Sequence, residues 1–120
     1  MNPIQETLDD LRRTAGVKAC MLVMADGLVV AEALGARYRE DVIAGLSSYL
    51  SMTANKALHE GGLGSFETFT LHAAHGKAVF CDIGESFLVV LLDQFADLEA
   101  GRSEIQGAVQ RLRRSSRLGS

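Results

Sequence analysis

Few residues in this chain have the type and spacing that chemistry requires. His72-Ala-Ala-His75 is the pair that invites a metal. If Ala73 and Ala74 continue a strand, side chains three apart point to opposite faces. No nearby cysteine or paired carboxylate offers a third ligand, so no metal site is expected. His59-Glu60 lacks the H-E-x-x-H continuation of a zinc protease. A Cys–His nucleophilic pair would need a reachable thiol, but Cys20 and Cys81 both sit inside apolar runs, where a thiol behaves as a small inert hydrophobe. Asp26 precedes Gly27 and reads as a turn residue rather than an acid. Gly61-Gly62-Leu63-Gly64 lacks the glycine spacing and strand-to-helix setting of a dinucleotide loop and reads as a helix stop. No G-x-x-x-x-G-K-[ST] pattern is present, so the chain is not itself a P-loop GTPase. Arg111, Arg113, Arg114 and Arg117 could bind an acidic partner, but they read first as cations favoured near a helix C-terminus. The expectation is a protein without cofactor or catalytic centre.

The bulk properties narrow the class. With 120 residues, 48% hydrophobic and 22% charged, the chain suits one domain with one core. A net charge of -3 is not the electrostatic footprint of a nucleic-acid binder. The apolar runs are strand-sized, well short of the ~20 residues of a membrane span, so no membrane insertion is expected. Residues 1–18 show no secretory signal pattern. Two cysteines that read as buried thiols rather than a disulfide point to a reducing compartment, the cytoplasm.

The elements that must position any surface centre on residues 19–33. Ala19–Met24 is apolar at every position, Asp26-Gly27 tolerates positive φ, and Leu28–Ala33 follows, which predicts a hairpin. A first arm apolar on both faces requires helices above and below the sheet. Before it, Asn2-Pro3 opens a short helix with Ile4, Leu8, Leu11 and Ala15 as its stripe and Gly16 as its stop. After it, Glu40-Asp41 start a second helix that runs to about Glu60. Three strands follow: Phe66–Ala74, less uniformly apolar and suited to an edge; Lys77–Ile83; and Ser86–Leu92, apolar on both faces and suited to the centre beside the first. Asp97 caps a last helix with Leu98, Ile105, Val109 and Leu112 as its stripe. The predicted fold class is α/β, a three-layer sandwich with a five-stranded antiparallel sheet, one helix on one face and two on the other. A single domain is expected over residues 1–114, with a basic disordered tail over 115–120.

The second helix carries the surface of interest. Val42, Ile43, Leu46, Leu50, Thr53, Ala54 and Ala57 form a broad face expected against the sheet. The opposite side carries Ala44, Gly45, Ser48, Ser51, Met52 and Asn55, small and neutral where a solvated face normally has Lys and Glu. Such a face permits close approach of another helix; the plainer alternative is a serine-rich solvent face. Together with Phe66, Thr68 and Thr70 on the edge strand, these residues are the expected interface.

The element order, Gly16-Val17-x-x-Cys20-Met-Leu-Val-Met-Ala-Asp-Gly-Leu-Val-Val-Ala, and the Gly-Gly after the second helix resemble the Roadblock (dynein light chain) family over roughly residues 4–114. The motif is structural rather than catalytic. The resemblance implies a homodimer in which second helices pack together and third strands pair, so that two sheets become one. Bacterial MglB-like members look like GTPase-activating partners of small Ras-like GTPases; eukaryotic members are dynein light chains or scaffolds that bring GTPases to membranes. The resemblance assigns no arginine finger, so any activation would order the partner's own catalytic loops. The implied function is a homodimeric regulator or scaffold that modulates a small GTPase by activation or docking. The alternative is a dimerisation or ligand-sensing module with no GTPase partner.

Overall fold

A computed structural model describes residues 2–118, with side chains described through Ser115. The elements run α1 (Pro3–Arg12), β1 (Val17–Met24), β2 (Val29–Ala33), α2 (Glu40–Glu60), β3 (Thr68–Ala73), β4 (Gly76–Asp82), β5 (Ser86–Asp93) and α3 (Leu98–Leu118). All strand pairs are antiparallel and the sheet order is β2-β1-β5-β4-β3. The two strands apolar on both faces, β1 and β5, lie side by side near the middle, and β3 is an edge.

Alternation along the strands splits the core in two. Cys20, Leu22, Val79, Cys81, Leu88 and Val90 face α1 and α3, meeting Leu8, Leu11, Ile105 and Leu112. Ala19, Met21, Val23, Phe80, Phe87 and Val89 face α2. One helix on one face and two on the other is therefore the observed architecture.

Local chemistry explains the turns. Leu28 N–H donates to Asp26 Oδ1 at 3.0 Å and Gly27 sits at φ +94, so Asp26-Gly27 closes the β1–β2 hairpin as a turn. Asn2 Oδ1 accepts from Ile4 and Gln5 N–H at the start of α1. That helix ends at Arg12, short of the predicted Ala15, which lies exposed in the following turn. Glu99 N–H donates to Asp97 Oδ1 at the start of α3. The helix does not stop near residue 114 but continues to Leu118, so the backbone of 115–118 is helical rather than a tail. Gly119 and Ser120 lie outside the described residues.

Candidate functional site

The structure turns α2 about a quarter-turn from the orientation its hydrophobic pattern predicts. Ala44, Ser47 and Ser51 are the buried residues of this helix, flanked by half-buried Ile43, Leu50, Ala54 and Leu58. Val42 and Leu46, expected against the sheet, are exposed, as are Thr53 and Ala57. The reason is steric. The sheet supplies the bulk on this side through Met21, Phe80 and Phe87, so the helix approaches closely only with small residues beneath it. Small residues do mark a close contact, but with the chain's own sheet rather than with another helix.

The expected interface residues separate accordingly. Ala44 (4% exposed), Ser51 and Phe66 are buried and present no outer surface. Ser48 is spent on the hairpin, its Oγ donating to the Ala25 carbonyl at 2.7 Å. Asn55 Oδ1 accepts from Phe66 N–H at 2.8 Å, closing the loop between α2 and β3. Phe66 thus precedes the strand and packs edge-on to Phe69 at 4.7 Å. Gly45 and Met52 are exposed on the outside of α2. Exposed Thr68 and half-buried Thr70 alternate with Phe69 and lie on the other face of the sheet, beside α3, so the expected surface does not include them.

What faces outward is a stripe of which the pattern singles out only Met52 for the outer side. Val42, Leu46 (58% exposed), Tyr49 (63%) and Met52 (62%) recur at helical spacing along the outside of α2. Leu71 joins it on the same side of the sheet: Phe69, two residues earlier on β3, stacks on Phe80 at 4.5 Å within the α2 core. An apolar stripe of this extent on the outside of a helix marks a contact surface. Asking which face has small residues, when the sheet below is rich in Phe and Met, would have located it.

The sheet edges differ as well. The β2 edge is blocked, with Gln5 Nε2 donating to the Glu32 carbonyl at 2.9 Å and the Glu32 carboxylate accepting from Leu34 N–H at 2.8 Å. The β3 edge, Thr-Phe-Thr-Leu-His-Ala, has no Lys, Arg, Asp, Glu or Pro and pairs with β4 in unbroken register. Uncharged, regular edges accept a further strand unless something covers them.

The remaining candidates stay apart. His72 lies on β3 and His75 in the following turn, both exposed, and the described residues hold no cluster of three His, Cys, Asp or Glu suited to a metal ion. Cys20 and Cys81 are buried and unpaired. Burial, aided by the Asp9 carboxylate, pushes the Cys20 thiol up to about 12, and burial raises Cys81 also, so neither supplies a thiolate near neutral pH. Arg111 pairs with Asp10 at 3.1 Å and Arg113 donates to the Asp82 carbonyl, which ties the end of α3 to its surroundings. No helix among the described residues is long and apolar enough to cross a membrane.

The fold is a small α/β domain that presents one apolar helix face and one open, uncharged sheet edge. Residues 3–92 match the Roadblock/LC7 domain, and the chain belongs to that family. An uncharacterized protein of Methanocaldococcus jannaschii is 31% identical over 110 residues, covering 92% of this chain and 96% of the relative. Among solved structures, MglB of Myxococcus xanthus superposes with a TM-score of 0.86 at 21% identity, covering 92% of each chain. An MglB in a tetrameric arrangement superposes with a TM-score of 0.86 at 19% identity, covering 98% of this chain and 90% of that one.

Proposed function

We propose that this chain is a homodimeric regulator of a small Ras-like GTPase. The observation that carries the reading is the exposed Val42–Leu46–Tyr49–Met52 stripe of α2 on the same side of the sheet as the open, uncharged β3 edge. A second copy would add its β3 strand to this edge and bring its α2 alongside, burying the stripe and Leu71 together. Membership of the Roadblock/LC7 family and the likeness to MglB support a GTPase-regulating role. The likeness to an MglB in a tetrameric arrangement supports self-association.

In this reading the chain performs no chemistry of its own. Two paired α2 helices on one continuous sheet form a broad preformed platform, and a switch region ordered by the γ-phosphate and its magnesium is the element such a platform recognises. A dimer that prefers the ordered switch shifts its partner toward that state by the same differential affinity. Activation then consists of ordering the partner's catalytic loops, in the cytoplasm where such GTPases work. The test is titration of a Ras-like GTPase from the same organism, loaded with a non-hydrolysable GTP analogue or with GDP. Tighter binding of the GTP form by the parent protein, lost in Tyr49→Glu, is expected. Equal affinity for both states would leave a passive scaffold, and no binding would refute the reading.

A further inference from the structure

We draw no further inference here: the strongest candidate, the surface patch around the 85% exposed Phe95 on the turn between β5 and α3, is bordered by charges of both signs from Lys18, Lys77, Asp93 and Asp97, and nothing in the structure shows what covers it.

Discussion

The orientation of α2 is tested by two substitutions two residues apart, Ala44→Leu and Leu46→Ala. Ala44 is 4% exposed and lies in the cluster with Met21, Phe80 and Phe87, so a leucine there has no room. Overpacking of a dense core of this kind costs about 1–3 kcal/mol. In a 120-residue domain ~1 kcal/mol corresponds to about 4 °C of midpoint, so Ala44→Leu should lower Tm by roughly 4–12 °C at every protein concentration. Leu46 is 58% exposed in the single chain, and truncating it should leave the intrinsic stability of the subunit within about 0.5 kcal/mol. Any larger loss in Leu46→Ala must come from weakened self-association and should shrink as the protein is diluted, because assembly stabilises by mass action and core packing does not. Differential scanning fluorimetry over a hundredfold range of concentration separates the two. A silent Ala44→Leu, with a Leu46→Ala loss of about 2–5 kcal/mol that is independent of concentration, is the signature of a buried leucine and would place the helix the other way round.

Three further outcomes follow from single groups. Asn55→Ala leaves the Phe66 N–H without its 2.8 Å acceptor and should cost about 1–3 kcal/mol by urea denaturation, with Asn55→Asp retaining most of the stability. Ser51 Oγ is buried with no hydrogen-bond partner among the described residues, so Ser51→Ala should be neutral or raise Tm, since it removes a hydroxyl desolvated without compensation. The Cys20 thiol has an ordinary value of 9.0 and is pushed up to about 12 in the fold. The native state therefore keeps its proton where the unfolded chain has lost it. Its contribution to stability is full below pH 9.0 and is lost as pH rises toward 12, and a thiol reagent at pH 8 should label Cys20 only after unfolding.

The parts of this fold legible from sequence are those set by local chemistry or by two-sided burial. Asp26-Gly27 between two apolar runs could be little else than a hairpin, and the all-apolar Ala19–Met24 and Phe87–Leu92 could not lie at an edge. The α2 interface was half legible. The small residues Ala44 and Ser51 stand out in the sequence as a face for another helix, but they meet the chain's own sheet, because periodicity says only that two faces differ, not which one meets the sheet. The deciding information lay in other elements, the bulk of Met21, Phe80 and Phe87, which meets α2 only in three dimensions. Phe66 was misread for a similar reason. Its strand-like neighbours conceal that Asn55, eleven residues earlier, holds its backbone N–H in a closing loop. Phe95 lies between the last strand and the last helix, where no periodic pattern assigns a residue to a face, so the sequence carries no sign of its exposure.

Amide hydrogen exchange along β3 tests the pairing of copies most directly. In a lone chain one side of Thr68–Ala73 bonds to β4 and the other faces water, so alternate amides exchange at the rate of an exposed edge. In a dimer with a continuous sheet both sides are bonded. The prediction is protection at every position of β3 at high protein concentration, with the alternate amides losing it on dilution or in Tyr49→Glu. Alternate amides that exchange rapidly at all concentrations would contradict it.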